Sequence, residues 1–199
     1  LKIGYQDRPD LFALHIQKSE TLEACTVEVE ERILANGEIR TPLNWDAVRA
    51  ELDLLRAEGI DSIAVLFINS YVNPIHEFRI GEMARERGFT QISLSHEVAN
   101  EIKAVGRGST TVADAYLTPI IRDYIARAQS ALGEGAPLRF MQSNGGLASA
   151  GRFSGKDAIL SGPAGGVTAC AAVCLQAGFQ KVIGFDMGGT STDVSRIEV

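Results

Sequence analysis

The sequence is poor in cysteine and has no long apolar run. Its 199 residues include only three cysteines, none in a C-x-x-C arrangement, which argues against a disulfide framework or zinc site and favours reduced thiols: Cys25, Cys170 and Cys174. No stretch approaches the roughly 18 consecutive apolar residues of a membrane-spanning helix, and the N-terminus lacks the layout of a signal peptide. We therefore expect no membrane partner and a cytoplasmic location.

Basic residues are also scarce relative to acidic ones. The chain has 19 Lys plus Arg against 25 Asp plus Glu, a formal net charge of −6. This balance argues against a nucleic-acid partner, because nucleic-acid-binding proteins present basic surfaces. Any phosphate group must therefore be held by a local site. The apolar content of 45% is typical of a soluble globular protein that can bury a core.

Alternating and periodic apolar positions predict strands and helices in turn. Residues 25–33 alternate in polarity and are followed by Asn36-Gly37, so we expect a half-buried strand and a hairpin there. Strands that alternate with helices form a parallel sheet, so the expected class is α/β. The predicted order downstream is helix, strand, helix and strand at 45–58 (with Asn44 as N-cap), 60–68, 75–88 (after Pro74 and ending at Gly88) and 89–94.

A change in composition at residues 95–109 marks the expected domain boundary. Apolar periodicity is weak there, and we place the end of one domain at 1–98 and the start of the next at 99–199. The second part is predicted to contain a long helix that Pro119 kinks or splits, two short strands and a helix of small residues. The expected ranges are 110–132 for the long helix, 138–142 and 157–160 for the strands, and 168–176 for the second helix.

The most informative segment is GFDMGGTSTDVS at 184–195. The apolar run at 182–185 predicts a buried strand, and the two glycines after it allow the backbone to approach a ligand closely. Asp186, at the strand end, is placed to hold Mg²⁺ opposite a bound phosphate, often through water. Successive N–H groups in such a turn form an anion-binding nest, which is extended by the hydroxyls of Thr190, Ser191 and Thr192.

A plain β-hairpin is the alternative structure for this segment, since Gly-Gly between apolar runs is also a turn pattern. Such a hairpin does not need two acids, Asp186 and Asp193, around a Gly-Gly-Thr-Ser-Thr run, and this favours the phosphate interpretation. The other glycine templates do not fit. No lysine follows the glycines as in a P-loop, and the spacing is not G-x-G-x-x-G.

A second possible anion contact lies upstream, where Ser161-Gly162-Pro163 leads into the small-residue helix. A turn that feeds a helix start presents free N–H groups and the positive end of the helix dipole. Ordinary helix punctuation and close packing explain the same residues equally well.

Five segments together resemble the hydantoinase A/5-oxoprolinase family of ATP-dependent enzymes. The two most specific are ILSGPAGGV at 159–167 and VIGFDMGGTSTDV at 182–194. One local departure is KAVGRG at 103–108, where relatives usually have a charged and aromatic run, so substrate-side or interface contacts are expected to differ. Three weaker segments agree, in the family's order over nearly the whole chain: SYVNPIHE at 70–77, STTVADAYL at 109–117 and MQSNGGL at 141–147.

The resemblance implies the fold of the actin, hexokinase and heat-shock chaperone ATPases, which have two ribonuclease-H-like lobes with ATP and Mg²⁺ between them. Such enzymes carry two phosphate loops, with a helix that crosses between the lobes before the second loop. Residues 186–193 resemble the second loop and residues 161–176 the crossing helix. The chain is therefore expected to be an internal fragment, a partial ribonuclease-H-like fold that ends after the second loop, without the first loop or the adenosine-binding segment.

The same resemblance implies roles for the site residues. Asp186 would hold Mg²⁺ or position water. Asp193 would be a second acid that either touches the metal or orients the N–H groups of the loop. The residues expected to contact ATP are Gly188, Gly189, Thr190, Ser191, Ser161 and Gly162.

The implied activity is ATP-dependent opening of a small cyclic amide, in which phosphorylation of the poorly electrophilic amide allows water to attack. One alternative is the ATP-using subunit of an acetone- or acetophenone-carboxylase-type complex, which activates a ketone. Another is a non-catalytic, actin-like nucleotide-binding module. The implied partner is a hydantoinase B-type subunit or domain, hence a hetero-oligomer where it is separate. The isolated chain is expected to bind ATP weakly and not to hydrolyse it.

The histidines and one glycine-rich turn are weaker candidates. His76 follows Asn73-Pro74 at a helix start, where a structural or capping function is favoured over catalysis. His15 and His96 have no recognisable partner in the sequence. The turn at 143–146 either approaches a ligand at a strand end or is a plain turn.

Overall fold

The computed structural model describes residue 12 and residues 14–15, 20–133 and 137–198. The chain divides into two compact units, Leu1–Pro119 and Ile120–Val199. Each unit contains two small two-stranded sheets together with helices. In the part of the chain that is described, no helix is both long enough and apolar enough to cross a bilayer.

The first unit contains the predicted hairpin. Strand β1 (Arg32–Ile33) pairs antiparallel with strand β2 (Ile39–Thr41). The turn between them includes Gly37, whose φ of +87° lies in the left-handed region that glycine adopts without strain. The Asn-Gly hairpin is therefore confirmed, although regular strand structure covers only the last part of the predicted range 25–33.

Two helices follow close to their predicted positions. Helix α1 is Trp45–Ala57 and helix α2 is Ile75–Glu86. The side-chain oxygen of Asn44 accepts a hydrogen bond from the Ala47 N–H at 3.2 Å, which confirms the predicted N-cap. Both helices are followed by a glycine in the left-handed conformation, which ends a helix without steric strain: Gly59 (φ +82°) and Gly88 (φ +77°).

A parallel pair of short strands lies in the core of the first unit. Strands β3 (Ser62–Val65) and β4 (Gln91–Leu94) run parallel, which confirms the α/β class. The short helix α3 (Ser95–Val98) follows directly. Apolar side chains of the helices, the strands and their flanking residues pack together as the core: Leu43, Val48, Leu52, Val65, Phe67, Ile80, Ala84, Phe89 and Leu94.

Helix α4 (Ala104–Leu132) is longer than predicted. It begins at Ala104 rather than at 110, although Gly106 and Gly108 are weak helix formers. Arg107, which lies between these glycines, is fully buried, and its hydrogen bonds tie the first turns of the helix to the core. The helix continues through Pro119, so the proline does not split it. The division between the two compact units falls directly after this proline. The domain limits 1–98 and 99–199 stay a prediction.

The second unit contains two antiparallel strand pairs with two α-helices and a short 3-10 helix (Ala150–Arg152) between them. The first pair is β5 (Arg139–Met141) with β6 (Leu147–Ser149), and the second is β7 (Lys181–Met187) with β8 (Thr192–Glu198). The α-helices are α5 (Gly155–Ala158) and α6 (Ser161–Gln176).

Two predictions for this unit are wrong. Residues 157–160 do not form a strand, because the Asp157 carboxylate accepts a hydrogen bond from the Ser154 N–H at 3.2 Å and thereby caps the helical turn α5. The small-residue helix begins at Ser161 rather than at 168. Pro163 lies in the first turn of this helix, where a missing N–H breaks no intrahelical hydrogen bond.

Candidate functional site

The segment with two acids and two glycines forms a β-hairpin made of β7 and β8. The Gly188 N–H donates a hydrogen bond to the Ser191 carbonyl oxygen at 2.9 Å and so closes a tight turn with Gly189 and Thr190 at its tip. The backbone of this segment therefore has the hairpin structure that the sequence analysis gives as the alternative to a phosphate-binding turn. A hairpin does not exclude phosphate binding, because its tip is exposed and the hydroxyls of Thr190 and Ser191 make no hydrogen bond to any described residue.

The expected buried strand at 182–185 is only partly buried. Gly184 is buried, whereas Ile183 is 74% and Phe185 is 63% exposed. The reason is that side chains alternate across a strand, and α6 covers only the face that carries the even-numbered residues of β7. The odd-numbered face is an exposed apolar surface within the described unit.

The two acids of the motif face each other across the hairpin. Asp186 pairs directly with Asp193, and both residues are exposed. Like charges directly opposite one another destabilise a strand pair. Neither carboxylate forms a salt bridge with a described residue, so no protein cation offsets this repulsion. The arrangement therefore favours an added cation at this face.

Helix α6 brings the second predicted segment next to the hairpin. A Cβ atom added to Gly166 would lie 2.9 Å from Oδ2 of Asp186, so the carboxylate reaches the helix where a side chain is missing. Gly162 lies four residues earlier and therefore on the same side of the helix. The structure thus places Asp186 against the second turn of α6, one turn beyond Gly162.

Ser161 itself has a structural contact. Its hydroxyl donates a hydrogen bond to the Ala158 carbonyl oxygen at 3.0 Å, which connects α6 to α5. Ser161 and Gly162 also line a cleft of about 580 Å³ whose walls include Tyr124, Phe140 and Phe153. The hydroxyl of Ser161 is therefore engaged. The available donors of this turn are the N–H groups of Ser161 and Gly162, because Pro163 has none and the Ala164 N–H donates to the Leu160 carbonyl oxygen.

Close packing of α6 against β7 recurs one turn further along the helix. A Cβ atom added to Gly184 would meet the Ser195 hydroxyl and would lie 3.1 Å from Sγ of Cys170. The sequence analysis misses the importance of Gly166 and Gly184. A glycine inside a helix or a strand indicates close approach of another group, but does not identify that group.

The turn at 143–146 forms hydrogen bonds within the fold. The Ser143 hydroxyl donates to the Asp157 carbonyl oxygen at 2.7 Å and accepts from the Leu160 N–H at 2.9 Å. The Asn144 side-chain oxygen accepts from the Gly146 N–H at 2.8 Å. Because these polar atoms already have partners within the fold, the structure favours the turn interpretation over a ligand contact.

All three histidines lie in the first unit. His76 is buried, with Nδ1 2.8 Å from Oε2 of Glu31 and its ring edge-on to Trp45, contacts that a structural function predicts. The prediction that His96 has no partner is wrong, since its Nδ1 lies 2.7 Å from Oε2 of Glu77. His15 is exposed.

A buried polar network connects His96 to the segment that departs from the family pattern. Arg107 of that segment is fully buried and donates through Nε to the Ser95 hydroxyl at 2.9 Å. Ser95 in turn donates to Glu77 at 2.6 Å. Arg107 also donates to the carbonyl oxygens of Phe67 and Ile68. Polar residues that pair only in the folded chain explain why 95–109 shows little apolar periodicity.

The donor set of the hairpin is small. Among the described residues, no group of three or more His, Cys, Asp or Glu side chains is arranged to hold a metal ion. Asp186 and Asp193 therefore offer two carboxylates at most. This set fits Mg²⁺, which keeps several of its waters and is bound through one or two carboxylates together with phosphate oxygens.

The cysteines are all free thiols. Cys25 is exposed, whereas Cys170 and Cys174 are half-buried on α6 with their Sγ atoms 4.0 Å apart. Partial burial, followed by the hydrogen bond to Cys170 and the charge interaction with it, raises the pKa of the Cys174 thiol. Cys174 is therefore held as the protonated, poorly nucleophilic form at neutral pH.

Comparison with known proteins gives concordant matches over both units. Models of the hydantoinase/oxoprolinase N-terminal region and of hydantoinase/oxoprolinase match residues 1–88 and 107–199. The 5-oxoprolinase of Saccharomyces cerevisiae is 43% identical over 227 residues, which cover 98% of this chain and 18% of that protein. The caprolactamase subunit alpha of Pseudomonas jessenii is 38% identical over 170 residues, which cover 82% of this chain and 24% of that protein.

Two solved structures share the fold. The ATP-dependent caprolactamase of Pseudomonas jessenii superposes with a TM-score of 0.77 and 37% identity, covering 84% of this chain and 25% of that one. A nucleotide-free acetone carboxylase has a TM-score of 0.73 and 27% identity, covering 85% of this chain and 25% of that one. These matches agree with an α/β fragment of the actin-like ATPase type.

Proposed function

Because the chain belongs to the hydantoinase/oxoprolinase family, we propose that the protein containing it opens a cyclic amide in an ATP-dependent hydrolysis. The relatives that support this proposal are a 5-oxoprolinase and an ATP-dependent caprolactamase, whose names describe hydrolysis of cyclic amides. The chain spans about 18% of the length of the 5-oxoprolinase. The activity is accordingly proposed for the whole protein, and the chain contributes part of its nucleotide site.

The pairing of Asp186 with Asp193 across an exposed hairpin is the observation that carries the proposal. Two unneutralised carboxylates lie beside a tip of glycines and free hydroxyls, and Gly166 leaves room for one of them. This combination suits a metal-bound phosphate better than it suits a purely structural turn, since the repulsion between the acids stabilises nothing in the free hairpin.

Each residue then has a task. Gly188 and Gly189 let backbone N–H groups approach the phosphates of ATP, and Thr190 and Ser191 add hydroxyl donors. Asp186 would hold Mg²⁺, with Asp193 as the second acid, and Gly162 in the first turn of α6 would add backbone N–H contacts together with Ser161. Bound Mg²⁺ would neutralise phosphate charge as it develops during phosphoryl transfer.

The chemistry requires activation of a poor electrophile. Transfer of the terminal phosphoryl group of ATP to the amide oxygen releases ADP and makes the carbonyl carbon electrophilic. Water adds to that carbon, and the ring C–N bond breaks as the nitrogen takes up a proton. A second water then hydrolyses the resulting acyl phosphate to the free acid and phosphate. The chain's contribution is to position the phosphates and exclude alternative orientations.

Likeness to acetone carboxylase supports a second candidate, in which the same site activates a ketone for carboxylation.

A partner subunit is part of the proposal. The related caprolactamase chain is named subunit alpha, so that enzyme has more than one kind of subunit. We infer a hydantoinase B-type subunit or fused domain that acts together with this chain. The cytoplasm is the proposed location, since ATP and Mg²⁺ are both supplied there.

The test is substrate-stimulated ATP turnover by the whole protein with its partner. We expect stimulation by 5-oxoproline, hydantoins or a lactam, with release of the ring-opened acid measured by mass spectrometry. Stimulation only by a ketone with bicarbonate would replace the hydrolase by the carboxylase. ATP binding without stimulated turnover by any of these compounds would contradict both enzymes and favour a nucleotide-binding module.

A further inference from the structure

The two cysteines of α6 form a thiol pair on one side of the helix. Cys170 and Cys174 are four residues apart, and their Sγ atoms lie 4.0 Å from one another. Both thiols are half-buried, so they remain within reach of small solutes. The predicted phosphate site uses neither of them, which leaves the pair without an assigned function.

We propose that Cys170 and Cys174 together bind one thiophilic metal cation, such as Cd²⁺ or Zn²⁺, through both sulfur atoms. The distance supports this directly. Two sulfurs bound at about 2.3 Å to one tetrahedral ion are separated by about 3.8 Å, close to the separation already present between the thiols. Little movement of either side chain is needed for both to reach the same ion.

The same geometry disfavours a disulfide. A disulfide requires an S–S bond of about 2.05 Å and Cβ atoms about 3.5–4.5 Å apart, whereas residues four apart on a helix have Cβ atoms about 5–6 Å apart. Oxidation would therefore have to distort α6, while a bridging ion would not. The pair consequently fits a metal ligand set better than a redox pair.

The coordination sphere would be completed from outside the protein. No group of three or more His, Cys, Asp or Glu ligands occurs in the part of the chain that the structure describes. The ion would take its remaining ligands from water or small thiols, which makes the site open and exchangeable. Thiolate ligands select soft ions over Mg²⁺ and Ca²⁺. Each bound ion displaces one proton from each thiol, two in total.

Binding of an ion at this site would affect the neighbouring β7–β8 hairpin. Sγ of Cys170 lies 3.1 Å from the position of a Cβ atom added to Gly184, which means that the sulfur abuts the backbone of β7. Gly184 is two residues from Asp186 and faces α6 in the same way. An ion on the sulfur pair would therefore restrict the strand that carries the acid.

Cadmium titration of the whole protein containing this chain tests the proposal. Binding is followed by the ultraviolet thiolate-to-metal absorption band and by calorimetry. We expect Cys170→Ala and Cys174→Ala each to bind one Cd²⁺ fewer per chain than the parent. Cys25→Ala serves as the matched control for losing an exposed thiol, and in it the α6 site should remain occupied, as shown by protection of Cys170 and Cys174 from alkylation.

Two further measurements separate the site from a folding defect. Circular dichroism should show unchanged helix content in the variants, and Cys170→Ser provides a second, isosteric replacement that should also lose the ion. Hydrogen exchange of residues 181–187 should slow on Cd²⁺ addition in the parent only. Equal Cd²⁺ stoichiometry in the parent and both α6 variants, or rapid formation of a Cys170–Cys174 disulfide with a thiol oxidant, would overturn the proposal.

Discussion

Asp186 and Asp193 are direct partners across the β7–β8 hairpin, so that two carboxylates share one face of a two-stranded ribbon. Repulsion between them opposes hairpin formation, and no basic side chain of the described residues relieves it. A ligand cation that binds both acids would convert this repulsion into attraction. Stability and activity are therefore expected to respond in opposite directions when one acid is removed.

Replacing either Asp186 or Asp193 by asparagine tests whether stability and activity change in opposite directions. In Asp186→Asn the hairpin loses one charge and should gain about 0.2–1 kcal/mol, measured as a higher urea midpoint. ATP turnover by the whole protein should fall by more than about a hundredfold, because the proposed metal ligand is lost. Asp193→Asn should stabilise to the same extent. Retained turnover in Asp186→Asn would remove this residue from the metal site.

The close approach of the Asp186 carboxylate to Gly166 predicts that a side chain at this position of α6 lowers activity, whereas one at the neighbouring glycine does not. A methyl group in Gly166→Ala would lie 2.9 Å from the Asp186 carboxylate and should displace it, which lowers ATP turnover and raises KM for ATP. The neighbouring Gly165→Ala is the matched control, because its Cβ atom would lie at an ordinary 3.6 Å from Met141.

Both glycine variants remove a helical glycine, which should stabilise the helix by about 0.8–1 kcal/mol where no clash occurs. Gly165→Ala should accordingly raise the melting temperature and keep normal turnover. Equal turnover in the two variants would show that the approach of Asp186 to α6 has no functional importance.

Arg107 is predicted to be essential for the stability of the first unit. Arg107→Met removes a fully buried guanidinium and leaves the Phe67 carbonyl oxygen and the Glu77 network without their partner. The expected loss is about 3–5 kcal/mol, measured by chemical denaturation. Arg49→Met, which breaks a salt bridge to Asp46 on the exposed side of α1, is the control and should change stability by less than about 1 kcal/mol.

The raised pKa of the Cys174 thiol predicts slow alkylation at neutral pH. A thiol reacts as its thiolate, and a raised pKa keeps the thiolate population low until the pH exceeds the usual range for cysteine. Iodoacetamide labelling followed by peptide mass spectrometry should show the Cys174 rate still rising at alkaline pH. In the Cys170→Ala variant the rate should increase, since the partner thiol contributes to the shift. A Cys174 rate that levels off at neutral pH would contradict this explanation.

Local sequence patterns were sufficient for much of the fold. The helices at 45–57 and 75–86 and the hairpin at Gly37 follow from short-range rules, because a cap, an apolar period and a left-handed glycine act within a few residues of one another. The strand predicted at 157–160 failed for a related reason. A single capping acid, Asp157, outweighs the apolar character of a four-residue stretch.

The sequence by itself determined the family, the α/β class and the composition of the candidate phosphate hairpin, since those depend on the identity and order of neighbouring residues. Only the tertiary structure decided that Asp186 faces Asp193, that Gly166 makes space for a carboxylate, and that His96 and Arg107 belong to one buried network. The first contact depends on the register of the hairpin, the second on the packing of α6 against β7, and the third on burial of polar groups within the first unit. Each exists only after those groups have come together and lost their water, a condition that no local pattern records.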